Sequence, residues 1–237
     1  MNIIKKDVIT STNDYIKDNY ETLDNYTVVT ANYQTKGKGR ISRTWESNCC
    51  ENIIFSMLIN DFKMRTDLNL LSLVASVSVH KLLRKYLKNI FIKWPNDILV
   101  DNKKICGILL EGKSNKKSSM IVIGIGINVN QITFSNEIDS LTTSLKKELN
   151  LHFDIDKLVL ELRNQLINDI EEFLNNNNSF IDYIRDNLFG RNQLISYTKD
   201  NKEYEGIILD INNDGQLIIK KEEEILYINS GEIKIKR

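Results

Sequence analysis

Proline is nearly absent from this 237-residue chain, where Pro95 stands alone, and histidine is almost as scarce, with only His80 and His152. Two histidines so far apart give a zinc site or a Ser-His-Asp triad little to build on. The three cysteines, Cys49, Cys50 and Cys106, are an odd number with two adjacent, and neither a disulfide framework nor a metal-ligand spacing follows from them. Net charge is missing as well: 32 Lys and Arg balance 32 Asp and Glu. A protein that clings non-specifically to nucleic acid carries a positive excess, so that role is disfavoured for the chain as a whole. The opening MNIIKKDVITSTND has no apolar run long enough for a signal peptide, and nothing elsewhere would span a bilayer, so the expected location is cytoplasmic. What remains is ordinary globular composition, 41% hydrophobic and 27% charged. The length suits one sizeable core with one small appended module.

Punctuation and periodicity divide the chain accordingly. Thr10-Ser11-Thr12-Asn13-Asp14 offers several N-caps ahead of Tyr15 and Ile16, so a short helix is expected there. Residues 26–31 and 52–59 read as strands, and 67–87 as a helix packed on the core. Residues 91–100 and 104–111 are apolar runs separated by Asp101-Asn102-Lys103, which is hairpin punctuation. The run 120–129 is too apolar for an exposed strand; a sheet edge paired across a homodimer and an internal position are both open to it. Residues 154–174 carry an amphipathic stripe ended by the Asn run 175–178, and a short helix is expected over 180–188. Beyond Gly190 five short alternating runs (193–197, 205–210, 216–220, 225–229 and 232–236) suggest a small barrel. The reading is an α+β chain: a mixed-sheet domain over 1–189 and a small β-barrel over 190–237.

Four segments carry chemistry. In KGKGRISRTW (36–45), Lys36, Lys38, Arg40 and Arg43 gather four cations, and Trp45 closes the run. Gly37 and Gly39 allow positive φ and a close approach of backbone amides. Such a loop suits one or more anions, although basic loops in general are more often solvated surface. It is not a Walker loop, since no Gly-Lys-Ser/Thr follows. In KWPND, Pro95 stiffens a strand end, Asn96 can orient neighbours and Asp97 supplies a carboxylate near those cations; a corner with a salt bridge is the plainer reading. In KICGILLEG and VIGIGIN, Lys104 opens a strand, and Gly107, Gly124 and Gly126 interrupt apolar strands where either packing or a ligand requires a close approach. Cys106 reads as a small buried hydrophobe.

Ser11-Thr12-Asn13, GKGRISRTW, KWPND, KICGILLEG and GIGINVN, in this order and at these separations, resemble the catalytic domain of biotin–protein ligases. The stretch ending INSGEIKI resembles that family's small SH3-like barrel, so the likeness runs through essentially the whole chain. The resemblance implies a biotin–[biotin carboxyl carrier protein] ligase. Such an enzyme joins biotin and ATP, with Mg²⁺, into biotinyl-5′-AMP and pyrophosphate, then passes biotin to one lysine of a carboxylase carrier domain. It assigns Ser11, Thr12, Asn13, Gln34 and Gly107 to biotin, and Lys38, Arg40 and Lys104 to its carboxylate and the α-phosphate. Gly37, Gly39, Arg40, Arg43, Trp45, Lys93, Asn96 and Asn128 fall on the nucleotide side. Arg40, Lys104 and Asp97 are the implied catalytic set, with Asp97 orienting or deprotonating the incoming lysine; no metal ligands are implied. Bifunctional members carry an N-terminal helix-turn-helix. With the first motif at Ser11 the expectation is the monofunctional type, with no DNA binding and no membrane.

Departures from the pattern are specific. Lys38 stands where the family usually has arginine, a point charge in place of a bidentate fork. Cys50 stands where glycine is common, and Ser135 follows Phe134 where proline is often found; Phe134 is a candidate for stacking on adenine. Two alternatives remain: a lipoate or octanoate ligase or transferase of the same fold, whose members lack KWPND and the GxGRxxRxW loop, and a non-catalytic biotin sensor.

Overall fold

The computed structural model describes residues 2–40, 43–60, 68–114, 119–175, 177–199, 202–229 and 231–235. Seven strands form one mixed sheet: β1 (Ile3–Ile9), β2 (Val28–Gln34), β3 (Asn52–Asn60), β4 (Ile90–Lys93), β5 (Asp97–Val100), β6 (Lys103–Ser114) and β7 (Ser119–Asn128). They lie in the order β1-β2-β3-β7-β6-β5-β4. Only β1 and β2 run parallel, joined by α1 (Thr12–Asn19); the other pairs are antiparallel. β7 lies between β3 and β6, paired along its length on both sides. It is therefore internal, and an edge pairing across a homodimer through this strand is ruled out.

Side chains alternate across a strand, and that alternation separates two layers. Ile53, Phe55 and Met57 of β3 and Ile121, Ile123, Ile125 and Ile127 of β7 point to one face and join the main core. There they meet α2 (Leu68–Leu83), α4 (Ile155–Leu174) and α5 (Ser179–Asn187). The other face carries α1, whose Ile16, with Tyr20, covers Val29, Leu58, Met120 and Val122 in a second, smaller cluster. The stripe of α4 buries Leu158, Val159, Leu162, Leu166, Ile170 and Phe173. Its first amides are capped by Asp154, whose side chain accepts from the Lys157 amide at 3.1 Å.

The C-terminal strands β8 (Leu194–Lys199), β9 (Lys202–Ile211), β10 (Leu217–Lys221), β11 (Glu224–Ile228) and β12 (Glu232–Ile235) form the expected small antiparallel unit, in the order β11-β10-β9-β8-β12. Its Ile208, Leu217 and Ile219 belong to the same hydrophobic core as the large sheet. The joint is specific: Trp94, 1% exposed, donates its indole N–H to the Gly215 carbonyl at 2.9 Å. Gly215 has φ of 76°, and a Cβ there would crowd Leu70 and Leu73 of α2.

Several expectations need correction. The run 91–100 is two strands, not one. Trp94, Pro95 and Asn96 form the turn of the β4–β5 hairpin, so KWPND is a hairpin turn rather than a strand end. β1 was not expected, nor was α3 (Leu145–Leu149), a single turn capped by Ser144. Helix α2 closes at Leu83, and the expected start at Asp67 lies outside the described residues, as do Ile41 and Ser42 of the basic loop and Lys236 of the last strand.

Candidate active site

The α1 face of the sheet becomes polar past the small cluster. Along β7, Met120 and Val122 are followed on the same face by Gly124 and Gly126; opposite them stand Ser56 and Ile54 of β3, and Leu109 and Gly107 of β6. Glycines here leave a floor without side chains. A Cβ on Gly124 would collide with the Asn13 amide and one on Gly126 with the Trp45 indole, while one on Gly107 would fit tightly against Lys104 and Trp45. Over this floor lies a cleft walled by Ser11, Thr12, Asn13 and Gln34 on one side and by Lys38, Gly39, Arg40 and Trp45 on the other, with Asn96 and Lys104 at the β5–β6 end.

The start of α1 supplies the neutral wall. Ser11 caps the helix by accepting from the Asp14 amide at 3.3 Å. Thr12 donates to Gln34 Oε1 from its amide (2.7 Å) and its hydroxyl (3.0 Å), which ties the helix start to the end of β2. Asn13 is held at both ends: Ser56 Oγ donates to its Oδ1 at 2.5 Å, and its Nδ2 donates to Glu111 Oε2 at 2.7 Å. Ser56, Glu111, Asp14 and Lys17 were not singled out from the sequence. The one signal for Glu111 is that it shares a strand face with Gly107 and Leu109, a lone charge in a run otherwise small or apolar. Its partner Asn13 lies 98 residues away.

The basic loop is a closed, hairpin-like excursion. The Trp45 amide donates to the Gly37 carbonyl at 3.1 Å, the Gly39 amide donates to the Arg43 carbonyl at 2.7 Å, and Lys38 bridges to Thr44. The glycines thus serve a different purpose from the one expected. Neither has positive φ; Gly37 is needed because a Cβ would run into the Trp45 backbone, and the Gly39 amide is spent inside the loop. The loop's charged contribution toward the cleft is the side chains of Lys38 and Arg40.

Arg40 Nη1 donates to Asn96 Oδ1 at 2.9 Å, while Asn96 Nδ2 donates to the Ile108 carbonyl at 2.7 Å. The basic loop and the KWPND turn are therefore joined through one arginine–asparagine contact. Lys104 Nζ lies 2.7 Å from Asp97 Oδ1, an ion pair without hydrogen-bond alignment, and 5.8 Å from the Trp45 ring centre. Across the cleft Lys38 Nζ is 2.7 Å from Asp14 Oδ1. Burial alone would raise the Asp14 carboxyl, but hydrogen bonds and charge from Lys17 and Lys38 outweigh it and hold the group below the usual carboxylate range.

Of the residues singled out from the sequence, Ser11, Thr12, Asn13, Gln34, Lys38, Gly39, Arg40, Trp45, Asn96, Lys104 and Gly107 line this cleft together. Gly37, Arg43, Lys93, Asp97 and Asn128 do not. Gly37 and Arg43 face a second hollow along the outside of the loop with Lys36 and Glu111. Lys93 closes the hairpin opposite Asp97. Asn128 is buried, its Nδ2 donating to the Thr143 carbonyl at 3.0 Å and its Oδ1 without a partner among the described residues. A third hollow on the far side of Trp45 is lined by Asn48, Gln131, Thr133, Phe134 and Ser135. Cys106 is fully buried, and burial pushes its thiol well above the ordinary range, so it stays protonated. Among the described residues no three or more His, Cys, Asp or Glu side chains gather to hold a metal ion, and no helix is long and apolar enough to cross a membrane.

The family model for the biotin/lipoate A/B protein ligases matches residues 6–128, more than half of the 237 residues. The chain belongs to this family. The model of the biotin protein ligase C-terminal domain matches residues 192–235, the small sheet. Among curated relatives, the bifunctional ligase/repressor BirA of Bacillus spizizenii is 37% identical over 153 residues, 61% of this chain and 46% of the relative. BirA of Escherichia coli is 29% identical over 97% of this chain and 72% of its own length. The chain thus spans about half the length of the Bacillus relatives it matches. Among solved structures, the biotin protein ligase from Aquifex aeolicus in complex with biotin and ATP superposes with a TM-score of 0.88 at 27% identity, covering 100% of this chain and 99% of that one.

Proposed function

We propose that this chain is an ATP-dependent biotin–protein ligase, which activates biotin as biotinyl-5′-AMP and transfers it to a lysine of a carboxylase carrier domain. One observation carries the reading: a single cleft has neutral hydroxyl and amide groups along one wall and Lys38, Arg40 and Lys104 around the other end. Biotin has that polarity, a neutral ureido head and a carboxylate tail. Ser11, Thr12 and Gln34 supply donors and acceptors for the head, and Asn13, committed to Ser56 and Glu111, supports them.

The first step brings a carboxylate oxygen onto the α-phosphorus and expels pyrophosphate, so two anions must meet. Lys38, Arg40 and Lys104 offset that repulsion and the charge developing at phosphorus. The tie from Arg40 to Asn96 and the pairing of Lys104 with Asp97 hold two of these cations before ligand arrives, which lowers the cost of organising them. Mg²⁺ would arrive on the triphosphate, its ligands chiefly phosphate oxygens and water. Trp45, lying over Gly126, covers the mixed anhydride and keeps water from it. In the second step a lysine amine attacks the biotinyl carbonyl and AMP leaves. Asp97, paired with Lys104 behind the cleft lining, orients that amine or takes its proton. We place the boundary between the catalytic and C-terminal domains near Gly190. The C-terminal match to a biotin ligase module favours biotin over lipoate.

The test is ATP–pyrophosphate exchange followed by transfer to a carrier domain, with biotin and lipoate compared. Exchange that requires biotin supports the proposal, and exchange supported only by lipoate, or by neither, overturns it. Arg40→Gly removes the contact to Asn96 and one guard of the adenylate; the expected outcome is release of biotinyl-AMP and indiscriminate labelling of added lysine-rich protein, read by avidin blot. Labelling confined to the carrier would show that Arg40 does not retain the intermediate.

A further inference from the structure

An arginine beside a carboxylate orients itself through its planar fork, whereas a lysine is a point charge on a flexible stem and must be aimed from outside. In this chain the aiming groups are three neighbouring charged side chains. Lys38 Nζ lies 2.7 Å from Asp14 Oδ1, the same oxygen lies 2.8 Å from Lys17 Nζ, and Lys17 Nζ lies 2.6 Å from Glu111 Oε1. Four charges of alternating sign thus run from the cleft wall back onto the sheet. Asp14 and Lys17 sit three residues apart on α1, Lys38 on the basic loop and Glu111 on β6. The other oxygen of Glu111 holds the Asn13 amide.

The order of charges matters more than their number. A lone aspartate against Lys38 would cancel much of the charge that an anionic ligand needs. Lys17 shares the aspartate oxygen and stands between both carboxylates, so it neutralises them and leaves Lys38 effective. We propose that Asp14, Lys17 and Glu111 are positioning residues that aim Lys38 and keep it unquenched, so that the cleft selects a ligand carboxylate over an uncharged tail. The proposal rests on the reading of the cleft as a biotin site. Burial would by itself depress the Lys17 ammonium, but its hydrogen bonds and charge pairing with Asp14 and Glu111 outweigh that and raise it, so Lys17 is charged near neutral pH.

The test compares biotin with biotinol, in which the carboxylate is replaced by an alcohol, by titration calorimetry on the full chain. Lys17→Met leaves two unneutralised carboxylates behind Lys38; biotin should weaken roughly tenfold while biotinol changes less than about twofold. Adding Glu111→Gln removes one of those charges yet keeps an acceptor for Asn13, and should recover most of the biotin affinity. Equal weakening of both ligands would mark a structural role and overturn the proposal, as would a Lys17→Met variant that binds biotin like the parent. Failure of the double variant to recover would do the same. A parent protein that binds neither ligand would overturn the biotin reading itself, and this inference with it.

Discussion

The two faces of the seven-stranded sheet are made by the same strands and have almost nothing else in common. Toward α2 and α4, β3 and β7 present Phe55, Met57, Ile123 and Ile125, all at most 3% exposed. One residue along, toward α1, they present Ser56, Gly124 and Gly126, and β6 adds Gly107 and Glu111. The first face is interchangeable apolar volume, each side chain contributing about 1.5–3 kcal/mol by burial. Past the small cluster under α1, the second face contributes little by burial, and its positions are fixed by specific partners: Gly124 by Asn13, Gly126 by Trp45, and Glu111 by both Asn13 and Lys17. Stability is thus concentrated on one side of the sheet and chemistry on the other, with a period of two residues as the only separation.

Neighbouring positions on β7 put this division to its strongest test. Gly126→Val should displace the Trp45 indole, which can swing outward because the tryptophan is only half-buried. Biotin-dependent pyrophosphate exchange should fall by roughly a hundredfold or more, while the melting temperature moves by less than about 3 °C. Retained exchange would mean that the indole does not cover the site. Ile125→Ala, one residue away, should behave in the opposite sense. It opens a cavity in the core at a cost of about 3 kcal/mol and lowers the melting temperature by roughly 6–12 °C. Its KM for biotin, measured well below the transition, should stay within about twofold of the parent. A large KM effect in Ile125→Ala would show that the two faces are coupled.

The same asymmetry explains what could be read without coordinates. Periodicity resolved the apolar side: the α4 stripe, the α2 segment and the strands 52–59 and 120–129 follow from spacing alone. It failed at β1, whose IIKKDVI is an edge strand left partly exposed, and at the run 91–100, where the turn at Pro95 interrupts a pattern that looks continuous. On the site side, motif residues such as Arg40, Asn96 and Lys104 were visible as types. Their partnerships were not, because Arg40–Asn96 and Asn13–Glu111 close over 56 and 98 residues. Gly37 and Gly39 do not act through positive φ: Gly37 makes room for the Trp45 backbone, and the Gly39 amide is spent on the Arg43 carbonyl. Asn128 was expected near the nucleotide and is instead buried, with one end of its amide committed to Thr143.

His80 offers the subtlest test, because it is a polar, titratable residue on the face assigned to stability. It is fully buried on α2; its Nε2 lies 3.1 Å from the Ile90 carbonyl and its Nδ1 2.9 Å from the Tyr183 hydroxyl. A carbonyl only accepts, so Nε2 carries the proton and Nδ1 accepts from tyrosine: the neutral tautomer satisfies both contacts. Burial is the main cause that lowers its pKa to about 4, with Arg84 adding repulsion against a bound proton. The unfolded chain takes up that proton near pH 6.5, so between about 6.5 and 4 the unfolded state binds more protons, and stability falls as pH falls. At pH 5 the loss from this residue should be about 2 kcal/mol relative to pH 8. Carboxylates add their own slope in acid, so the measurement is a difference: urea unfolding of the parent and of His80→Gln at pH 8 and pH 5. The variant should lose less stability between the two pH values by roughly that amount, with an unchanged KM for biotin at pH 8. Equal losses in both proteins would mean that His80 takes up its proton in the fold as readily as in the unfolded chain, and an altered KM would place a functional group on the face that the sheet reserves for packing.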